Sequence, residues 1–476
     1  MGRGIGRRAV LVAVPPALAG CSWLTPAATT SGIALPDRLN AADAAAPVRW
    51  PDPLWWRGFG SPELDWLMAQ ASAANTDIAA AVARVRQADA QLRIAGAALL
   101  PTVDLSGQAT RAQSTFITSG PFTTTSARTR VTSRDSVSLA ASYEIDFWGK
   151  NRAQVEAAQQ TAAANRFDVG TVMLTTQASV ANTYFALLAA QEQLAIQKAN
   201  LDIATRILDV IRQQVAVGTA TGLDLAQQET VVAQQRAQIP PLEQAVEQNR
   251  NSLGTLVGLP PETLKLKGDV FNRLTVPQVS PGLPAEVLAR RPDVLAAEAS
   301  LAAANANVVA ARAQLLPSIT LTGSGGFQST ALEALLRPES LVFSLVGGLT
   351  QPIFHGGALR GQVQLTEAQA EELLATYRGA ILSALVDVEN ALIALRQTTE
   401  QERLQSEAVR TAERAYAISE AQLRAGTINL ITLLNTQQTL FTARNALIQA
   451  RLLRLQAAVG VFRALGGGWD TPIYRQ

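Results

Sequence analysis

The chain has a single cysteine and a single histidine in 476 residues. One cysteine excludes an internal disulfide framework, and one histidine with one cysteine leaves a zinc site short of ligands. No HExxH, CxxC, GxSxG or Walker sequence occurs, so no metal, nucleophile or phosphate-binding constellation is legible and neither a cofactor nor an enzyme activity is expected. Charged residues are only 16% and aromatics 5%. The formal net charge is +2 with no Lys/Arg-rich run, which argues against nucleic acid as a partner. Beyond residue 21 no run of about 18 apolar residues appears, so no membrane-spanning helix is expected. Ala, Leu, Gln and Thr fill the space left by these absences. That mixture suits long helices packed closely through small side chains.

The N-terminal end reads as an address. Arg3, Arg7 and Arg8 precede an apolar stretch from Ala9 to Ala19, too short to span a bilayer and the right length for a signal peptide. It ends in Leu18-Ala19-Gly20-Cys21, which resembles the lipobox of bacterial lipoproteins. The resemblance implies removal of residues 1–20, lipidation at Cys21 and a lipidated N-terminal segment over 21–60. Ser22 stands where an inner-membrane retention signal would have Asp, which implies sorting to the outer membrane.

The chain is duplicated. Asn75–Pro101 aligns without gaps to Arg291–Pro317 at a constant offset of 216 (291 − 75 and 317 − 101). Arg152, Asn182, Gly218 and Arg236 match Arg360, Asn390, Gly426 and Arg444 at offset 208 (360 − 152 and 444 − 236). The lost eight residues fall after Pro101, where the first copy carries a longer Ser/Thr-rich loop. The predicted layout is a first repeat over 61–270, a second over 271–465 and a tail over 466–476.

Each copy reads as helix, strand pair, very long helix, turn, helix. Thr102–Arg111, Asp135–Ile145, Ile319–Gln328 and Ser340–Thr350 alternate apolar and polar residues with the period-two pattern of membrane-barrel strands. From Asn151 to Val217 the helical pattern has no proline, and its ~67 residues at ~1.5 Å each reach roughly 100 Å. Ala358–Ala425 is its twin. Both end in a Gly turn, Val217-Gly218-Thr219 and Ala425-Gly426-Thr427, and return helices are predicted over Leu223–Leu256 and Asn429–Leu465, the first broken at Pro240-Pro241. Helices this long must pair along their length. Four strands cannot close a barrel, and an open edge cannot sit in lipid. Two, three or four copies would reach the smallest known barrels of about eight strands or exceed them.

These features together resemble the outer-membrane efflux protein family of the TolC and OprM type, in its lipoprotein branch. The marks are Trp55-Trp56-Arg57-Gly58-Phe59-Gly60-Ser61-Pro62, the run Arg290-Arg291-Pro292-Asp293-Val294, the turns Asp146–Lys150 and Ile353–Gly357, and the ending Leu465–Trp469. The resemblance implies a mainly α fold with a membrane β-barrel contribution: a homotrimer with a twelve-stranded barrel and a periplasmic α-barrel. It implies a passive exit duct for small molecules, a periplasmic adaptor and an inner-membrane RND-type transporter as partners, and outer-membrane lipid around the strands. It places the adaptor and aperture at Val217, Gly218, Thr219, Ala425, Gly426 and Thr427. A gate is implied at Asp224, Thr432 and Asn435, where better-known members carry aspartates at the last two positions. Thr221-x-x-Asp224 is equally a helix capping box. Phe147, Trp148 and Phe354 fit an interfacial aromatic belt, and His355 lies in the same Gly-rich corner. A type I protein secretion channel and a lipid-anchored coiled-coil scaffold share parts of the pattern.

Overall fold

The computed structural model describes residues 24, 30–41, 49–120, 123–278 and 284–467. The signal peptide, Cys21 and the Gly468-Trp469 ending lie outside the described residues. The helices are α1 (Pro62–Ala74), α2 (Thr76–Ala97), α3 (Lys150–Ala216), α4 (Gly222–Ala237), α5 (Ile239–Leu256), α6 (Pro284–Leu288), α7 (Pro292–Ala313), α8 (Ala358–Arg424) and α9 (Leu430–Ala464). The strands are β1 (Thr102–Gly120), β2 (Thr123–Ile145), β3 (Ser318–Ser329) and β4 (Leu341–Thr350). They form one antiparallel sheet in sequence order.

The duplication governs the element boundaries. Helices α2 and α7 are related at both ends by 216 (292 − 76 and 313 − 97), and α3 and α8 by 208 (358 − 150 and 424 − 216). The return helix of the first copy is broken at Gln238, just before Pro240-Pro241, because a proline inside a helix lacks the N–H its fourth neighbour needs. One expectation needs correction. The Ser/Thr-rich stretch after Arg111 is no loop. It continues the β1–β2 hairpin in register to Thr118↔Ser126, since β-branched Thr and Val suit an extended backbone even where neither face is continuously apolar. By length and composition alone α7 could cross a membrane, but half of that window is buried inside the protein, as in a packed core helix.

The residues fall into two compact units. One is built mainly of Gln87–Ala162 and Ala299–Ala375, and the other mainly of Gly32–Arg86, Ala163–Glu298 and Thr376–Gln476, so each draws on both copies. The first holds the sheet and the helix ends that flank it. The second is helical, and its largest core gathers the N-terminal aromatics around the middle of α3 and the end of α9. Trp55 stacks on Phe462 with ring centroids 4.9 Å apart, and Phe59 packs on Phe185 at 5.0 Å.

The family marks are explained here by packing. Ser61 caps α1, its Oγ accepting from the Leu64 N–H at 3.0 Å, with Pro62 in the first turn. The Tyr184 hydroxyl donates to Glu63 or Asp269, both at 3.0 Å, and burial pushes its phenol well above the usual range. Gly58 lies against Pro277, where an added Cβ would come within 2.6 Å of the ring. Arg291 is buried and bonds Asp293 at 2.6 Å, Asp387 at 3.1 Å and the Ala464 carbonyl at 3.2 Å.

Candidate functional site: strand faces, corners and hairpin turns

The sheet has one apolar and one polar face. Directly paired residues share a face, and Leu105, Leu139, Gly325 and Phe343 make one apolar row. Gly107, Val137, Phe327 and Leu341 make the next. Phe343 is 86% exposed and Leu345 83%, so the β4 side of this face is open among the described residues. The opposite face carries Ser and Thr in register. Ser106 bonds Ser138 and Ser324 bonds Ser344, each at 3.0 Å. A membrane-spanning strand needs ~9–11 residues, which matches the 12 of β3 and the 10 of β4. The outer edges of β1 and β4 have no partner strand among the described residues.

At the strand-to-helix corners Phe147, Ile353 and Phe354 are exposed. Trp148 is half-buried and donates from Nε1 to the Pro317 carbonyl at 2.8 Å. These residues, with Pro352 and His355, line a cavity of about 670 Å³. Asp146 starts α3. It accepts from the backbone N–H of Asn151 at 3.0 Å and of Arg152 at 2.9 Å, with Arg152 Nε at 3.1 Å. Burial raises the Asp146 carboxyl, but these hydrogen bonds outweigh it and hold the group below its ordinary 3.8. The second copy has Phe354 at the matching position (146 + 208) and starts α8 without such a cap. A carboxyl whose folded value is depressed stabilises fully above its unfolded value and loses that contribution as pH falls through the folded one. Asp146→Ala is therefore expected to cost about 1 kcal/mol at neutral pH. Below pH 3.8 that difference should shrink, as thermal melts of both proteins at neutral and acid pH will show.

The two hairpin turns are built alike. Gly218 and Gly426 take φ of +79° and +72°. The Thr219 N–H bonds the Gln214 carbonyl at 2.8 Å, and the Thr427 N–H bonds that of Gln422 at 3.0 Å. Each Thr hydroxyl adds a second bond to the same carbonyl at 3.1 Å. Val217 is 74% exposed, and a Cβ on either glycine would meet nothing within 4 Å. Beneath the turns Ile207, Ile211, Leu430 and Leu433 form a small core shared by both hairpins. Asp224 completes a capping box with Thr221, accepting from its N–H at 2.8 Å and its hydroxyl at 2.7 Å, which hold the carboxyl below its usual range. Its counterpart Thr432 bonds the cap residue Asn429, and Thr432 and Asn435 are both exposed on α9. The gate candidates thus share one end of the helical unit with the turns.

The model for the outer membrane efflux protein family matches residues 67–259 and 283–467. The chain belongs to that family. It is 41% identical over 468 residues to the pyoverdine export outer membrane protein OpmQ of Pseudomonas putida, covering 98% of this chain and 99% of that one. The toluene efflux pump outer membrane protein TtgC of the same species is 31% identical over 434 residues, covering 90% and 87%. The open-state structure of the Neisseria gonorrhoeae MtrE outer membrane channel superposes with a TM-score of 0.83 at 27% identity, covering 93% of this chain and 98% of that one. The protein is the outer-membrane exit duct of an efflux system, with strands in the outer membrane and helices extending into the periplasm. What the sequence reading missed is the strand character of 112–120 and 123–134. The signal was present in the alternation of Arg128, Arg130, Thr132 and Arg134 at even positions.

Proposed function

We propose that three copies close a twelve-stranded barrel, β4 of each pairing with β1 of the next, and that the duct exports a siderophore of the pyoverdine type. The observation that carries closure is the four-stranded sheet with one apolar face and two edges unpaired among the described residues, which lipid does not tolerate open. The cargo reading rests on likeness, 41% to a pyoverdine exporter against 31% to a toluene exporter, each across most of the chain. The duct itself is passive and not an enzyme. A periplasmic adaptor docks at Val217-Gly218-Thr219 and Ala425-Gly426-Thr427 and links it to an inner-membrane RND-type transporter, while lipid on Cys21 adds an anchor. Asp224, ionised at neutral pH, lines the aperture with Thr432 and Asn435, and the two copies preserve domain-like repeats over 61–270 and 271–465.

The test is export in a strain lacking the gene. Loss of siderophore from the medium with its accumulation in the periplasm, restored by the wild-type gene, is the expected result. Siderophore export at the parental level, with drug accumulation raised instead, would replace the cargo. Gly218→Val and Gly426→Val place a β-branched residue where the backbone is left-handed, at a cost of ~1–2 kcal/mol per turn. Adaptor cross-linking and export are expected to fall together in these variants. Cross-linking at the wild-type level in both would move the docking site elsewhere.

A further inference from the structure

The hairpin beyond the third strand is cationic. From residue 105 to 134 the chain has no Asp, Glu or Lys and four arginines: Arg111, Arg128, Arg130 and Arg134. All four lie past the last β2–β3 pair, Asp135↔Ser329, where only β1 and β2 continue. This is the end of the sheet away from α2 and α3, which join it at Thr102 and Ile145.

Register decides which way the charges face. Arg134 pairs with Thr110 and Arg130 with Ser114, in the same even-numbered row as Ser136, Ser138 and Ser142. That row is the polar face. Arg111 pairs with Ser133 and belongs to the row of Val137 and Leu139, which is the apolar face. Arg130 and Arg134 are exposed and have no ion-pair partner among the described residues. The nearest carboxylate on β1 of that face is Asp104, six residues from Thr110, or roughly 20 Å at ~3.4 Å per residue. Around them are Thr110, Ser114 and Thr132, which offer hydroxyls.

With the apolar face in lipid, the polar face lines the lumen, and the arginines sit at its outer end. We propose that Arg130 and Arg134 of three copies form a cationic collar that selects anionic cargo, small organic acids bearing several carboxylate or like groups, as it leaves the barrel. This rests on the closed-barrel reading above. Arginine suits the task because its planar fork grips an oxyanion with two parallel hydrogen bonds and stays charged at every relevant pH. A ring of one sign in a narrow mouth also concentrates ions of the other sign, more strongly at low salt.

The experiment is current block of the full-length protein in planar bilayers, with pyrene tetrasulfonate added on the hairpin side. Block is expected at lower probe concentration in about 0.1 M than in about 1 M KCl. The double variant Arg130→Gln, Arg134→Gln should raise the half-blocking concentration about tenfold or more, while Arg130→Lys, Arg134→Lys retains most of the block and Arg111→Gln leaves it unchanged. Normal conductance with wild-type block in the double Gln variant overturns the collar alone. An effect carried by Arg111 instead also overturns it, and points to phosphates of the outer leaflet. A protein that forms no channel at all overturns the barrel reading and the collar with it.

Discussion

Gly258→Ala is expected to be strongly destabilising, because it combines a left-handed backbone with a clash against another segment's main chain. Gly258 has φ of +69°, and a Cβ there would lie 2.2 Å from the carbonyl oxygen of Ala74 and 2.8 Å from its carbon. A left-handed backbone costs a non-glycine residue about 1–2 kcal/mol, and here backbone must also move, so a total of about 3 kcal/mol or more follows. The second copy repeats the contact. Gly466 (258 + 208) has φ of +86° and would place its Cβ 2.6 Å from the carbonyl of Arg290 (74 + 216). Gly466→Ala should therefore destabilise by a similar mechanism and somewhat less. Gly218→Ala separates the two costs, because its φ is +79° but nothing lies within 4 Å. Thermal loss of the helical circular dichroism signal should rank the three variants 258, 466, 218. A Gly258→Ala protein that melts with Gly218→Ala would show that the Ala74 contact is not as close as described.

Arg291→Ala ranks next. The guanidinium is buried and serves Asp293, Asp387 and the end of α9 through the Ala464 carbonyl. Burial lowers its proton affinity, yet the two carboxylates outweigh this and raise it. Removing the cation leaves two carboxylates facing one another and a helix-end carbonyl unpaired. Breaking a buried pair in this way costs about 3–5 kcal/mol. The side chains of Asp293 and Asp387 are 38% and 41% exposed, so they regain water and the low end of that range applies. Arg291→Lys keeps the charge and loses the fork, and should fall between wild type and alanine. Equal stability of Arg291→Ala and wild type in the same melts would remove the residue from the fold's supports.

Much of this architecture could be read before any coordinates. The offsets of 216 and 208 carry through to the helix boundaries, where Pro101 and Pro317, Gly149 and Gly357, and Gly218 and Gly426 stand at matching positions. Period-two alternation located four strands where one face is apolar. It was overlooked over 112–120 and 123–134, where polar residues alternate at even positions from 124 to 134 but no continuous apolar row runs through the opposite face. The turn residues were legible from Gly218 and Gly426, since a left-handed helix stop favours glycine. The Thr221–Asp224 box was legible for the same local reason. Contacts between distant segments were not. Nothing in the neighbourhood of Gly258 announces the Ala74 carbonyl, and nothing beside Trp148 announces its bond to the Pro317 carbonyl.

The account turns on a sheet that one chain cannot complete. The measurement that addresses this is the native mass of the protein extracted from the outer membrane, taken with detergent stripped in the gas phase. Three copies of the chain, dissociating only with loss of the β signal, are predicted. A folded single chain with full helix and strand content would contradict it.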